Sequence, residues 1–271
     1  MSRKGHNTKT RRRNKALNTA AVLIIALFVM IGEHFWNNPG SKNPISLDEI
    51  PAYSGTAAIV INNNEPFFEE KDLTEKAFEK YSSLDSLGRS GVAYANICKD
   101  TMPTTQRGEI GAVHPSGWHT VKYTDRIDGN YLFNRCHLIG YQLAGENANK
   151  KNLITGTRYM NVTGMESYEN LVAKYVRYKK GHVLYRVTPI YEDKNLVASG
   201  VLMEAESVED KGEGIRFCVY CYNVEPGVII DYKSGTSKQD TSYEGESQGG
   251  QLEEAMNAGS FRDRGWDRYN K

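Results

Sequence analysis

Cysteine is scarce, with four in 271 residues: Cys98, Cys136, Cys218 and Cys221. That is too few, and too scattered, for a disulfide scaffold, so a packed core has to hold the fold. Cys218 and Cys221 have the spacing of a redox or zinc half-site. They lie, however, in a strand-like run at 215–224, where residues three apart face opposite sides, and packing is the favoured reading. An overall basic excess is also missing. The formal net charge is +1, and residues 51–232 carry 20 basic against 23 acidic side chains, so whole-domain basicity offers no argument for a polyanion partner. No internal repeat is visible, which sets aside a repeat architecture.

Tyrosine, by contrast, is plentiful. Seventeen of them favour an α+β or β-rich body over a helical bundle, and 271 residues allow one substantial core. The charge is unevenly placed. Residues 1–15 hold seven Lys/Arg and no acid, and residues 122–186 hold 11 basic and five acidic side chains. A polyanion site is expected in that second stretch.

The uncharged run 16–32 is 17 residues long, just enough to cross a bilayer core at ~1.5 Å per residue. The basic cluster before it predicts a cytoplasmic N-terminus (1–15), with the rest of the chain outside. Trp36 suits the interfacial belt, and no small-x-small cleavage site follows, so 16–36 reads as an uncleaved signal anchor rather than a removed signal peptide. Residues 37–49, polar with Pro39, Gly40 and Pro44, read as a linker. A compact domain is expected over 50–232. Within it, 57–62, 91–97, 132–140, 182–191, 196–204 and 216–224 read as strands, and 74–81 and 168–179 as helices. Residues 233–271, rich in Ser, Gly, Gln and Glu, read as a disordered tail.

The informative stretch is 131–161. An apolar strand ends in Asn134-Arg135-Cys136-His137, a loop dense in Asn, Lys and Gly follows, and the chain then enters a helix. On residue types alone this is a weak signal, because asparagine is common in loops.

The spacing, however, resembles the DNA/RNA non-specific endonuclease family of the ββα-metal superfamily, and within it the bacterial DNA-entry and streptococcal secreted nucleases. That family carries Asp-Arg-Gly-His at a strand end, then a loop, Lys-Asn, and a metal-binding Asn on a helix. Here Asn134-Arg135-Cys136-His137 stands for the motif, Lys151-Asn152 for the Lys-Asn pair, and Asn161 for the ligand nine residues on. Glu169 matches the acidic residue near the metal's waters. The likeness extends through Pro115–His119, Tyr185–Tyr191 and Val201–Glu204, covering roughly 52–232. Two positions depart from the motif: Asn134 replaces Asp and Cys136 replaces Gly.

The resemblance implies an α+β fold with a ββα-metal nuclease core on an antiparallel sheet. It also implies metal-dependent, sequence-blind endonucleolytic hydrolysis of DNA, with RNA within its scope. His137 is then the general base, since a neutral imidazole can take a proton from water at neutral pH. Asn161 is the direct ligand of Mg²⁺, for which Mn²⁺ can substitute, because Mg²⁺ keeps most of its waters. Glu169 orients those waters, and Arg135 clamps a phosphate or the transition state through its planar fork. Asn134, Lys150, Lys151, Asn152 and Arg158 are expected to contact substrate. DNA or RNA and, through the N-terminal helix, a membrane are the expected partners; no protein partner can be inferred.

Plainer roles stand beside these. Asn161 alone suits a helix cap, Glu169 a solvated helix acid, and Arg135 a structural ion pair. His119 is expected to pack or hydrogen-bond rather than catalyse. Two rival functions also remain: a catalytically inactive nuclease-like surface module that binds nucleic acid, and a zinc or thiol protein built on Cys136, His137, Cys218 and Cys221.

Overall fold

The computed structural model describes residues 44–245. The anchor expected at 16–36 and most of the expected tail lie outside them. Among the described residues no helix is long and apolar enough to cross a membrane.

The fold is α+β. Its backbone is a six-stranded antiparallel sheet of β1 (Ala58–Val60), β2 (Phe78–Tyr81), β3 (Ala93–Ile97), β6 (Val183–Ile190), β7 (Gly200–Ser207) and β8 (Arg216–Tyr222). The strand order is β1-β8-β7-β6-β3-β2. Both faces are covered, as the alternation of β8 shows: Phe217, Val219 and Cys221 enter one core, while Cys218, Tyr220 and Tyr222 enter the other. Cys218 and Cys221 therefore lie on opposite faces, and all four cysteines are free and buried. The zinc or thiol rival loses its cluster.

On the larger core sits a two-stranded antiparallel ribbon, β4 (Phe133–His137) with β5 (Leu153–Thr157), joined through a one-turn helix α1 (Tyr141–Ala144). The ribbon leads into a turn of π-helix at Tyr159–Met165 and then into α2 (Glu166–Lys179). Val172, Ala173, Tyr175 and Val176 form the buried stripe of α2 against the sheet, together with Val183, Tyr185, Val201 and Met203. The chain leaves α2 at Lys180, which takes a left-handed φ of 58°.

Four regions depart from the sequence reading. Residues 74–81 do not form a helix. A helix this short cannot sustain itself, whereas Phe78–Tyr81 gain ladder pairing with β3 and an edge-on contact between Phe78 and Tyr94. The strand expected at 196–204 runs instead over Gly200–Ser207. Part of the expected tail is ordered: β10 (Thr236–Gln239) pairs with β9 (Val228–Asp231). The apolar residues that hold this hairpin belong to β9, since Val228 and Ile230 pack against Ile127, Leu132 and Phe133. At the other end, Ile45 is buried and Leu47 packs beside it, so the body takes in residues read as linker.

Candidate active site

His137 ends β4 and is 7% exposed. Its ring is fixed from both sides. Nε2 lies 2.8 Å from the carbonyl oxygen of Asn147, which can only accept, so Nε2 carries the hydrogen of the neutral ring. Nδ1 is thereby left as the lone-pair nitrogen, 3.4 Å from Nη2 of Arg107. Burial depresses the imidazole pKa below its ordinary value; the Asn147 carbonyl opposes this and the Arg107 charge adds to it. The result is a neutral, oriented base whose basic atom faces a cation.

Asn161 sits in the π turn, where the N–H of Glu166 donates to the carbonyl oxygen of Asn161. That i to i+5 bond has a geometric consequence. An α-helix makes two turns in about 7.2 residues, so residues eight apart end about 80° out of line. A π turn takes in about one residue more and absorbs most of the excess. Glu169 thus returns to nearly the same side of the helix as Asn161.

Glu169 is directed at the turn after β4, where its Oε1 accepts from the N–H of Gly140 at 2.8 Å. Burial pushes its pKa up to about 8; the Gly140 bond and the Arg107 charge pull the other way, while the nearby charge of Glu166 adds to the rise. His137 and Asn161 meet through Cys136, the neighbour of His137, whose Sγ lies 3.0 Å from Oδ1 of Asn161. Burial raises the thiol far above its ordinary value. Asn134 shares a face of β4 with Cys136 and pairs across the ribbon with Gly156.

Asn152 corrects one expectation. It is fully buried, with Oδ1 accepting from the N–H of Ile139 and Nδ2 donating to the Ile139 carbonyl, both at 2.9 Å. Each bond is worth ~1 kcal/mol, and the full burial closes the amide to a substrate; the side chain locks the turn that carries Gly140. Arg135 is also committed. Its Nε donates to the carbonyl of Val113 at 2.5 Å and its Nη2 to that of Gly111 at 2.6 Å, while the guanidinium lies 4.1 Å from the ring centre of Trp118. It clamps a loop rather than facing the site. Arg158 pairs with Asp128 at 3.0 Å, at the end of β5 remote from His137. Lys150 and Lys151 remain exposed on the short turn before β5, whose first residue, Leu153, pairs with His137. His119, as expected, hydrogen-bonds: its Nε2 lies 3.1 Å from the Ser234 carbonyl.

A strand-end histidine on a ribbon leading through a π turn with Asn161 into a helix with Glu169 matches the order of elements that the family resemblance implies. The family model described as DNA/RNA non-specific endonuclease matches residues 70–209. The chain belongs to that family. Among solved structures it is similar to NucA from Streptococcus agalactiae with no metal bound, at 27% identity and a TM-score of 0.62, over 72% of this chain and 92% of that one. NucA with magnesium ion bound matches at 28% identity and a TM-score of 0.58, over 66% and 85%. Sda1 nuclease with bound zinc ion matches at 26% identity and a TM-score of 0.59, over 68% and 96%. A search of curated proteins finds no match.

This endonuclease is accordingly a phosphodiester hydrolase, and the geometry adds a residue that the sequence reading missed. Arg107 lies outside the basic stretch 122–186, in a segment without a recognisable motif. Contacts distant in sequence bring it to His137: the Tyr141 hydroxyl donates to the Thr105 carbonyl, Asn147 Nδ2 donates to that of Glu109, and Arg135 holds Gly111 and Val113. No local pattern could have marked it.

Proposed function

We propose that this endonuclease hydrolyses DNA, and RNA as well, without reading sequence, using one divalent cation. The observation that carries the reading is the histidine tautomer: Nε2–H is spent on the Asn147 carbonyl, so Nδ1 is the nitrogen that keeps a lone pair to take a proton once Arg107 turns to the phosphate. Water attacks phosphorus, His137 Nδ1 accepts its proton, the bond from phosphorus to the 3′-oxygen breaks, and the departing 3′-oxygen takes a proton from solvent water, leaving a 5′-phosphate and a 3′-hydroxyl. Arg107, beside Nδ1, holds a phosphate oxygen through its planar fork and offsets the charge that builds there.

The donors present suit a small hard cation. Among the described residues no group of three or more His, Cys, Asp or Glu could hold a metal. One amide oxygen, from Asn161, and one nearby carboxylate, from Glu169, leave most positions to water, as Mg²⁺ prefers; Mn²⁺ fits the same donors. When bound, such an ion would supply Lewis-acid stabilisation of phosphate and leaving oxygen. Glu169, its ionised form favoured by the charge of the cation, would then orient the surrounding waters. Lys150 and Lys151 attach the backbone of the substrate without reading its bases. The uncharged run 16–32 with its basic flank supports a site of action outside the cytoplasm, at the membrane or released from it.

The test is degradation of supercoiled plasmid and of RNA by purified protein with Mg²⁺, with Mn²⁺ and with excess chelator. Full activity in chelator would overturn the metal reading, and discrete, sequence-defined fragments would overturn the sequence-blind one.

A further inference from the structure

The position before His137 is filled by a cysteine whose side chain neither binds nor reacts in the mechanism above. Its surroundings are unusually restrictive. Cys136 is fully buried, and its Sγ lies 3.0 Å from Asn161 Oδ1, 3.5 Å from Met165 Sδ and 3.6 Å from the His137 carbonyl. On its other side stands Gly156, where an added Cβ would come within 2.6 Å of Cys136 Cβ and 2.8 Å of Met160 Cε. The sulfur therefore has little freedom to turn elsewhere. Away from water and beside apolar and sulfur neighbours it stays a thiol, a weak donor with one hydrogen to give.

We propose that the Cys136 thiol is a positioning residue for the metal ligand, donating S–H to Asn161 Oδ1 and so fixing which end of the carboxamide is presented to the cation. The two ends of an asparagine amide are alike in shape and opposite in polarity. A donor against one end selects oxygen there, because the NH₂ group would meet the S–H donor to donor. The oxygen has a second lone pair, so accepting from sulfur on one side leaves it able to bind a cation on the other. An amide already turned the right way gives up less conformational freedom when the cation arrives. The bond links the strand of the base to the helix of the ligand, so β4 and the π turn are held in register before any ion binds. This inference rests on Asn161 being the ligand.

The experiment measures Mn²⁺ binding to the full chain without nucleic acid, by electron paramagnetic resonance of the free ion, alongside thermal unfolding in chelator. Cys136→Ala lacks the donor and Cys136→Ser keeps one. Cys136→Ala is expected to weaken Mn²⁺ binding about three- to tenfold, the range expected for loss of one hydrogen bond. Cys136→Ser is expected to recover most of that loss. Recovery by serine is the readout that a packing role would not move. Wild-type affinity in a folded Cys136→Ala protein, or an equal loss in both variants, overturns the proposal. Asn161→Ala serves as the reference. If that variant binds Mn²⁺ as the wild type does, the metal reading itself fails and the thiol proposal falls with it.

Discussion

The carboxylate of Glu169 occupies the space that a side chain on Gly140 would need: a Cβ there would lie 2.7 Å from the carboxyl carbon and 2.8 Å from Oε1. Gly140 also gives its N–H to that same oxygen. Helix α2 and the turn after β4 are thus fitted together at one point. Gly140→Ala should push Glu169 away and weaken metal-dependent cleavage, although its φ of −58° suits alanine. Steady-state rates against Mg²⁺ concentration check this; an unchanged metal dependence would show that the contact has no functional weight.

The raised pKa of Glu169 sets a stability window. The folded value of about 8 exceeds the ordinary 4.5, so the folded protein holds a proton that the unfolded chain releases. That contribution is complete below about 4.5 and is lost as pH rises to about 8. Glu169→Gln cannot ionise. In chelator its unfolding midpoint should gain on the wild type steadily across that interval, and parallel curves for the two proteins would contradict the raised pKa of this half-buried carboxyl.

If His137 is the base as proposed, its removal should cost about 10²–10⁴ in rate while DNA binding persists. The depressed pKa places the acid limb of kcat/KM below pH 6.5. Arg107→Ala, which removes a charge that opposes protonation of the ring, should lower kcat/KM and move that limb to higher pH. If the limb stays in place, the two groups are not coupled as their 3.4 Å separation implies.

Asn161→Ala should lose activity at limiting Mg²⁺ and regain part of it at high Mg²⁺ or Mn²⁺, because a ligand surrounded mostly by water-held positions governs affinity more than chemistry. A metal titration showing the same half-saturation in both proteins would remove Asn161 from the ligand set.

Binding should be electrostatic and local. Each phosphate neutralised on duplex DNA contributes a log–log salt slope of about −0.9. Lys150→Ala and Lys151→Ala should each flatten the slope by about one unit, equally on unrelated sequences. Filter binding with the His137→Ala background, on two duplexes over a salt series, checks it; a tenfold preference for one duplex would contradict sequence-blind contact. Arg158→Ala, by contrast, should leave the slope almost unchanged, since its guanidinium is already paired with Asp128.

Much of the fold was legible where a segment is long and its period clear. The opposite facing of Cys218 and Cys221 follows from the two-residue repeat of a strand, and 168–179 carries the apolar stripe of a helix. The segment 78–81 was not legible, because four residues with mixed propensity take their structure from the strand beside them. The hairpin ending at Gln239 was missed for a related reason: its polar strand is held by apolar residues of its partner.

The sequence by itself determined the chemistry available here. His137 closing a strand, with Asn161 and Glu169 at their spacings, carries the resemblance to the endonuclease family, and it is that resemblance which implies a base, a metal ligand and a carboxylate near the metal's waters. Only the tertiary structure decided which nitrogen of His137 is basic, that Asn152 is consumed by Ile139, and that Arg135 clamps a loop. The arrival of Arg107 at Nδ1 belongs to the same class. Each of these depends on which partner a polar group finds when distant segments pack together, and a buried donor or acceptor takes the partner that packing supplies, at a cost of ~1–3 kcal/mol if it finds none.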